Sequence, residues 1–204
     1  MEIQIVPLRE SQLDAAIGLI GRAFYNAPSF THIIPQGVRN RVRKIECCAA
    51  FGVRYGCTYN RAYTTADEIK GVAVWIPQEQ FSFDLSRMWQ AGLFILPFQI
   101  GVRAFWRQMT LLNKIEQIHK RNMPERHWYL ELLGVEPSHQ GQGIGSALMH
   151  PILQQADLEG IPCYLETFSE KNVYFYRQHG FQVLKTIDMP EVNLHLWTMK
   201  REPQ

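Results

Sequence analysis

Residues 127–146 read HWYLELLGVEPSHQGQGIGS. The first nine of them are dense in aromatic and aliphatic side chains and predict a largely buried β-strand. Three glycines follow at alternate positions, Gly141, Gly143 and Gly145, and apolar residues then recur at helical spacing as far as Gly160. A glycine after the last apolar repeat is a typical helix end. The segment is therefore a strand, a glycine-rich loop and the start of a helix in direct succession.

This arrangement is typical of a loop that binds phosphate. Backbone N–H groups that no Cβ obstructs can point at anionic oxygens, and the helix dipole adds a positive end at the same place. Two common nucleotide loops do not fit the spacing. A P-loop would need a lysine after its last glycine, but Ser146 follows Gly145 directly. Ser146 also stands where the dinucleotide fingerprint has glycine or alanine.

The pattern that remains, Gln140-x-x-Gly143-x-Gly145, resembles the pyrophosphate loop of the GNAT superfamily of acyl-CoA-dependent N-acetyltransferases. Its context strengthens the resemblance. Residues 132–135 before the loop match the family's fourth strand, and residues 172–181, NVYFYRQHGF, match its second signature of Asn, Tyr and Gly-Phe. Two signatures in the right order and at the right distance are hard to obtain by chance.

Within that superfamily the chain looks nearest to the puromycin-type acetyltransferases, through residues 139–146 and through Leu165-Glu166-Thr167 ahead of Asn172. The resemblance is strong over residues 127–200 and looser over the first 76. It implies an α/β (α+β) fold, with a GNAT-like mixed, mainly antiparallel splayed sheet of about seven strands flanked by helices.

The resemblance also implies where acetyl-CoA, the expected cosubstrate, is held. The sheet would open between the strands at 127–135 and 162–167, with CoA in the gap. The backbone of Leu133 and Val135 would hold the pantetheine arm and the thioester carbonyl, and loop amides the pyrophosphate. An N–H fixed on that carbonyl also polarises it, which is usually a large term in acyl transfer. The implied CoA-binding residues are Leu133, Gly134, Val135, Gln140, Gly141, Gln142, Gly143, Ile144, Gly145, Ser146 and Asn172.

Two proton transfers accompany acyl transfer to an amine, because the amine must lose a proton and the departing thiolate benefits from gaining one. The resemblance assigns the acid to Tyr176, one helical turn after Asn172. As the base we predict Glu131, which lies in an apolar strand where burial would raise its pKa. Glu166 in the next strand is the rival candidate, and a water chain is the third. Either glutamate could instead be a solvated or salt-bridged strand residue.

The composition limits the classes of function. The chain has 204 residues, 46% hydrophobic content and a formal net charge of +2, which argues against nucleic acid as the main partner. Its four cysteines lack the spacing of a zinc site, so no metal is expected. The charge-free run 88–102 is too short for a membrane helix, and the first residues lack the features of a secretory signal. We therefore expect a cytoplasmic protein with no membrane partner.

Apolar periodicity outlines the first part of the chain. A helix is expected from a Ser11 cap to a stop at residues 26–28, and a second helix over residues 37–55. Residues 58–65 and 69–76 predict a β-hairpin. We interpret the basic residues near the start of the second helix as a solvated face; they are Arg39, Arg41, Arg43 and Lys44.

Residues 77–126 stand where most members of the family have a short hairpin turn. Their pattern predicts a helix from about Ser86 that breaks at Pro97 and another from about Val102 to Lys120. We expect the aromatic residues of this insertion to build an apolar wall beside the acetyl site, favouring an amine on an aromatic or bulky apolar body. The alternative is that they only pack the helices onto the sheet. They are Phe81, Phe83, Trp89, Phe94, Phe98, Phe105 and Trp106.

The sequence thus predicts a single GNAT-like acetyltransferase domain over residues 1–204, with a helical insertion at 77–126 and a CoA-binding, catalytic half at 127–200. The expected activity is transfer of an acetyl group from acetyl-CoA to a primary amine of a small molecule, directly in a ternary complex. Cys163 could indicate an acyl-cysteine route, but it lies in a predicted strand with no paired histidine. A non-catalytic acyl-CoA-binding sensor or regulatory module is the alternative function.

Overall fold

The computed structural model describes residues 3–78 and 93–204 of the chain. Within these ranges seven strands form one sheet, and seven α-helices accompany it. The strands are β1 (Ile5–Pro7), β2 (Ala62–Thr65), β3 (Gly71–Pro77), β4 (Trp128–Val135), β5 (Cys163–Thr167), β6 (Gln182–Met189) and β7 (Leu194–Arg201). The helices are α1 (Leu13–Ala23), α2 (Pro28–Ile33), α3 (Arg41–Thr58), α4 (Leu96–Ile100), α5 (Val102–Asn122), α6 (Ile144–Glu159) and α7 (Glu170–Arg177).

The sheet is mixed but mainly antiparallel. Its strand order is β1-β2-β3-β4-β5-β7-β6, and among the described strands only the central β4–β5 pair is parallel. The predicted α/β (α+β) class, with about seven strands flanked by helices, is therefore confirmed. β4 lies at the centre because its sequence can be buried on both faces, as Trp128, Tyr129 and Leu130 are.

The two central strands separate soon after they meet. β4 and β5 pair over three residues each, ending with Leu130 opposite Leu165. Beyond that point β5 stays paired with β7 as far as Thr167, while β4 stays paired with β3 as far as Val135. The sheet therefore opens into a gap between β4 and β5, at the place that the family resemblance implied.

A β-bulge marks the start of this gap. Opposite the step from Val74 to Trp75 in β3, β4 carries one extra residue, Glu131. A bulge bends its strand and re-aims side chains, and bulges are common beside active sites. Glu131 and Glu166 are the first residues of β4 and β5 beyond their last paired positions.

Each face of the sheet has its own core. Helices α6 and α7 pack on one face, in a cluster that includes Trp75, Leu130, Leu148, Leu165 and Val173. Helices α1 and α3 pack on the other face, with Ile20, Val53, Val74, Tyr129 and Tyr164. A third cluster joins α2, α3, α4 and α5 to the end of β6 and the start of β7.

Several predicted boundaries are wrong. Ser11 is not the cap of α1, because residues 10–12 form a short 3-10 turn and Gln12 takes the N-cap position. Pro28 does not end a helix but begins α2, since proline at the first helical position loses no helical hydrogen bond. The helix predicted over residues 37–55 is α3 and runs from Arg41 to Thr58, so β2 begins only at Ala62.

Arg41 is not part of a solvated face, in contrast to our interpretation of the basic residues. It is only 3% exposed and donates to the backbone oxygens of Tyr25 and Ile34 and to Thr31 Oγ1. Its guanidinium also lies over the Tyr25 ring, 4.6 Å from the centroid. These bonds fix the loop before α3 and compensate the buried charge. Arg39 and Arg43 are exposed as expected.

The insertion is helical where the structure describes it, but its break differs from the prediction. Pro97 lies inside the first turn of α4, where proline is tolerated, and the break comes at Gly101 with a φ of 95°. The predicted start near Ser86 lies outside the described residues. The inward face of α5 is also more polar than expected, because Gln108 and His119 are buried along it.

Three of the four aromatic residues of the insertion that the structure describes do not line a common apolar wall. Phe94, Phe98 and Trp106 are exposed by 51%, 89% and 64%. Phe105 packs against the third cluster, as the alternative interpretation expected. Phe81, Phe83 and Trp89 lie outside the described residues.

None of the helices within residues 3–78 and 93–204 is both long and apolar enough to cross a membrane.

Two glycines in neighbouring helices provide a test of this packing. A Cβ at Gly56 of α3 would lie 2.7 Å from Val74 Cγ1 and 3.3 Å from Ala62 Cβ, and a short β-branched side chain cannot turn away. We expect Gly56→Ala to lower the free energy of unfolding by about 1–3 kcal/mol, in spite of alanine's higher helix propensity. Urea denaturation measures the change.

Gly18→Ala in α1 is the matched control. There a Cβ would meet only the ends of two flexible side chains, Arg22 at 3.4 Å and Glu46 at 4.0 Å, so the same substitution should be neutral or stabilising by up to about 1 kcal/mol. Equal effects of the two substitutions would contradict the predicted contact between α3 and β3.

Candidate active site

Two buried carboxyl groups flank the opening of the gap. Tyr129 and Tyr164 are partners in the β4–β5 pairing, and side chains two residues further along parallel strands lie on the same face. Those side chains are Glu131 and Glu166, on the face that α3 covers. A Cβ at Gly52 of α3 would lie 2.7 Å from Glu131 Oε1, so α3 approaches this carboxyl closely.

Neither carboxyl is neutralised by an ion pair with lysine or arginine among the described residues. Glu131 Oε2 and both carboxylate oxygens of Glu166 are buried without a hydrogen-bond partner within these ranges. The Glu166 side chain is 4% exposed, and the residue's remaining exposure is in its backbone, which has no β4 partner. Unpaired buried carboxyls are costly, which is one reason why such groups are candidates for function.

Burial shifts both acids toward neutrality at physiological pH. It raises the pKa of Glu131 from 4.5 to about 7 and that of Glu166 from 4.5 to about 8. The hydroxyls of Tyr129 and Tyr164 oppose the rise in the pKa of Glu166 by facing its carboxylate, although neither Glu166 oxygen receives a bond of full hydrogen-bond geometry within the described ranges. The predicted rise in the pKa of Glu131 therefore has a physical cause in the structure.

The glycine loop forms an open cradle before α6. Gly141 and Gly143 have φ values of 78° and 80°, which side chains other than glycine rarely adopt, and nothing lies within 4 Å of where their Cβ atoms would be. Gly143 is the N-cap of α6, and the first N–H to close a bond there is that of Ala147, to Gly143 O at 3.0 Å. The earlier helical amides therefore have no intrahelical acceptor and can receive an anion.

The free edge of β4 supplies two more amides. Backbone N–H groups alternate sides along a strand, and the N–H of Glu136 points toward β3, bonding Lys70 O at 2.9 Å. The amides of Leu133 and Val135 therefore point the other way, into the gap. The amide of Gly134 points toward β3 instead. Glycine is required at this position for space, because a Cβ there would lie 2.5 Å from Ile20 Cδ1 of α1.

Three polar side chains of the predicted CoA set hold the loops in shape. Gln140 Nε2 donates to Val135 O at 3.2 Å, and Gln142 Nε2 donates to Ser138 O at 3.4 Å. Asn172 Nδ2 donates to Thr167 Oγ1 at 3.4 Å and so ties the start of α7 to the end of β5. Their structural role is to fix the backbone on both sides of the gap.

Tyr176 lies on the other face of the sheet, in the core that contains Leu165. It is 7% exposed, and its ring makes edge contacts with Phe175 and Phe181 at 5.2 and 5.9 Å. Burial raises its pKa well above the ordinary value, so the phenol keeps its proton at neutral pH. Tyr174, on the same helix, is 69% exposed.

Sequence reasoning missed a buried histidine pair beside Glu166. His119 of α5 lies 3.8 Å from Glu166 Oε1 through its Nδ1 and 2.7 Å from His127 Nε2 through its Nε2. The His119 ring also contacts the rings of Tyr129 and Tyr164, at centroid distances of 4.5 and 4.6 Å. The two histidines are eight residues apart, on a helix and before a strand, so spacing alone could not pair them.

Cys163 shows no sign of a nucleophile. It is fully buried in β5, and burial raises the pKa of its thiol to about 12. A thiol in that state does not form the reactive thiolate near neutral pH.

The comparisons with known proteins agree with this geometry. The sequence model of the Acetyltransferase (GNAT) family matches residues 100–181, which include β4, the glycine loop, α6 and α7. An uncharacterized N-acetyltransferase of Schizosaccharomyces pombe is 27% identical over 143 residues, which are 67% of this chain and 58% of that protein. The chain belongs to the GNAT superfamily.

Solved GNAT-fold structures cover almost the whole chain. A Corynebacterium glutamicum protein described as histone acetyltransferase HPA2 and related acetyltransferase has a TM-score of 0.69 and 21% identity, over 100% of this chain and 98% of that chain. A Drosophila melanogaster polyamine N-acetyltransferase, an enzyme that forms N-acetylagmatine, has a TM-score of 0.63 and 15% identity, over 98% and 100%. At these identities the solved structures establish the common fold.

The two carboxyls predict an unusual dependence of stability on pH. A carboxyl with a higher pKa in the folded than in the unfolded state binds its proton more tightly when folded. The free energy of unfolding must therefore fall as pH rises from near 4.5 through the folded pKa values of about 7 and about 8. Between about pH 5 and about pH 9 the free energy of unfolding should therefore decrease. We expect each of the substitutions Glu131→Gln and Glu166→Gln to make this decrease smaller by on the order of 3 kcal/mol, as measured by urea denaturation.

Glu68→Gln is the control, because that side chain is 70% exposed and should leave the slope unchanged. If Glu131→Gln and Glu166→Gln gave slopes equal to that of Glu68→Gln, neither carboxyl would have the raised pKa described above.

Proposed function

We propose that this GNAT protein transfers an acetyl group from acetyl-CoA to a primary amine of a small molecule, directly in a ternary complex and as one catalytic domain. The observation that carries the proposal is the pair of buried carboxyls, Glu131 and Glu166, at the first unpaired positions of β4 and β5. A site that must take protons from an ammonium group needs carboxyls with raised pKa values beside the gap.

The residues around the gap fit acetyl-CoA. Its pyrophosphate would lie against the free amides at the start of α6, where the positive φ values of Gly141 and Gly143 keep the backbone accessible. The amides of Leu133 and Val135 would take the pantetheine arm and the thioester carbonyl. When bound, acetyl-CoA supplies an activated acyl group and a thiolate leaving group. A chain with a net charge near zero can bind the phosphates of acetyl-CoA, because backbone amides bind anions without a basic surface.

The side chains divide the proton transfers between the two faces of the sheet. An amine that arrives as an ammonium ion must lose two protons in becoming an amide, while the leaving thiolate gains one, so one proton is released overall. Glu131, on the α3 face, would accept a proton from the amine. Tyr176, on the α7 face and protonated at neutral pH, would donate to the thiolate. The amine would then lose its proton toward the α3 face of the sheet, and the thiolate would gain one from the α7 face.

The site and the fold neighbours support a cationic amine as the acceptor. The Drosophila enzyme forms N-acetylagmatine, and an Aedes aegypti structure of the same fold is an arylalkylamine N-acetyltransferase. Two buried carboxyls on the α3 face favour a cationic amine over a neutral nucleophile. Because Phe98 and Trp106 point to solvent, the described part of the insertion gives little support for a wholly aromatic acceptor pocket. A cytoplasmic location belongs to the same proposal and fits the four free cysteines.

The alternative function is a sensor that binds acyl-CoA without turnover. The glycine loop and the gap-facing amides would serve a sensor equally well. The two buried carboxyls, which form no ion pair with lysine or arginine in the described part of the chain, favour an enzyme, because binding CoA alone gives no reason to retain two destabilising acids beside the gap.

An amine panel tests the proposal. Purified protein with acetyl-CoA and agmatine, a polyamine, an arylalkylamine or an aliphatic monoamine should release CoA and form the N-acetyl product, followed by mass spectrometry. Glu131→Gln should bind acetyl-CoA with unchanged Kd in calorimetry but lose most of the turnover. Tight acetyl-CoA binding by the wild-type protein, with no product from any amine, would instead establish the sensor.

Tyr176→Phe tests the acid. Loss of one hydroxyl from a group that protonates the leaving thiolate should lower kcat about a hundredfold or more, with little change in the Kd of acetyl-CoA. Steady-state kinetics and calorimetry measure the two quantities.

Tyr174→Phe is its matched control, since it removes the same atom from the same helix at an exposed position. It should leave kcat unchanged. A Tyr176→Phe protein with wild-type kcat would show that the thiolate is protonated by another group.

A further inference from the structure

A chain of contacts leads from Glu166 to the start of β4. Glu166 Oε1 lies 3.8 Å from His119 Nδ1, His119 Nε2 lies 2.7 Å from His127 Nε2, and His127 Nδ1 lies 2.6 Å from the backbone oxygen of Glu125. Both histidines are buried, at 2% and 1% exposure. α5 of the insertion supplies His119, so this part of the site comes from outside the strands and loop that carry the GNAT signatures.

The contact between His127 and the Glu125 carbonyl determines which nitrogens of the two histidine rings carry hydrogen. A carbonyl oxygen only accepts, so His127 Nδ1 carries a hydrogen and donates it to Glu125 O. With both rings uncharged, as their burial favours, His127 Nε2 is then a bare acceptor. The short contact between the two Nε2 atoms therefore takes its hydrogen from His119. His119 Nδ1 is left with a lone pair, which faces Glu166.

We propose that His119 is a positioning residue for Glu166, which is the second proton acceptor of the reaction. His127 and the Glu125 carbonyl hold His119 in the tautomer with its hydrogen on Nε2. His119 Nδ1 can therefore accept a hydrogen bond from Glu166 but cannot donate one to it. This inference rests on the proposed acetyl transfer. Glu131 takes one of the two protons that the ammonium group loses, and Glu166 takes the other. One of these protons restores Tyr176 after it has protonated the thiolate, and the second leaves to solvent, so the proton count balances.

The surroundings of Glu166 agree with this role. Within residues 3–78 and 93–204, the titratable groups that face it are Tyr129 of β4, Tyr164 of β5 and His119 of α5, while Glu131 lies across the gap. Both tyrosines are hydroxyl donors with pKa values raised far above the ordinary one, so they stay neutral. Burial, His127 and Lys120 lower the pKa of His119 to about 3, so His119 does not become a cation beside Glu166. An acceptor placed against a carboxyl stabilises its protonated form.

The tautomers can be observed directly. In protein labelled with ¹⁵N-histidine, two-bond ¹H–¹⁵N correlation spectra distinguish protonated from bare ring nitrogens, and loss of signals in His119→Gln and His127→Gln assigns the two rings. We expect a bare Nδ1 with a protonated Nε2 for His119 and the reverse for His127. A protonated Nδ1 on His119, or a doubly protonated His127, at neutral pH would overturn the proposal. This measurement needs no turnover, so it distinguishes a wrong tautomer assignment from a wrong proposed function.

His127→Phe tests the consequence for Glu166. Phenylalanine keeps the ring but removes the acceptor for His119 Nε2–H, so His119 can move its hydrogen to Nδ1 and donate it to the Glu166 carboxylate. The acidic limb of the pH profile of kcat/KM should then move about one unit lower, a tenfold loss of proton affinity. In a Glu166→Gln background the same substitution should leave the limb in place.

His150→Phe, at an exposed position of α6, is the control and should leave the profile unchanged. A His127→Phe enzyme that loses activity at all pH values without a shift of the limb would show a purely structural role for the histidine pair and would overturn the proposal.

Discussion

The separation of β4 from β5 beyond Leu130 and Leu165 is the constraint on which the site depends. Strands that stay paired satisfy each other's backbone groups, whereas strands that part leave an edge of N–H and C=O groups that water or a ligand must satisfy. In this chain the parting is stabilised from both sides, since β3 holds β4 and β7 holds β5 to their ends. The gap is thus built into a rigid sheet, with the free amides of Leu133 and Val135 on one of its walls.

The same separation explains the two carboxyls. Side chains at the paired positions Tyr129 and Tyr164 fill the core, and the next residues on that face, Glu131 and Glu166, are the first that face an opening. They remain buried because α3 and α5 cover the face, with Gly52 in contact with one acid and His119 beside the other. Holding buried acids with raised pKa values there lowers stability at neutral pH, and a protein accepts such a loss where function requires groups of this kind.

The insertion contributes in a way that its composition did not indicate. Its aromatic residues suggested a pocket wall, yet several of the described ones point to solvent, while the polar residue His119 reaches the centre of the sheet. A buried histidine on a helix can do this because neighbouring rings, Tyr129, Tyr164 and His127, surround it and His127 satisfies one of its nitrogens. Helix α5 of the insertion therefore contributes to the candidate site and does not only cover the sheet.

The sequence by itself determined the strand, loop and helix around Gly141, Gly143 and Gly145, because positive φ angles and a helix N-terminus are local properties of a few consecutive residues. The mixed, mainly antiparallel sheet of about seven strands and the place of the gap followed from the family resemblance, whereas the order of the strands came from the structure. The tertiary structure alone decided that Arg41 is buried, that Gly134 makes room for Ile20, and that His119 meets His127 and Glu166. These contacts join residues far apart in the chain, or on different elements, and their energies depend on burial and orientation, which no local pattern records.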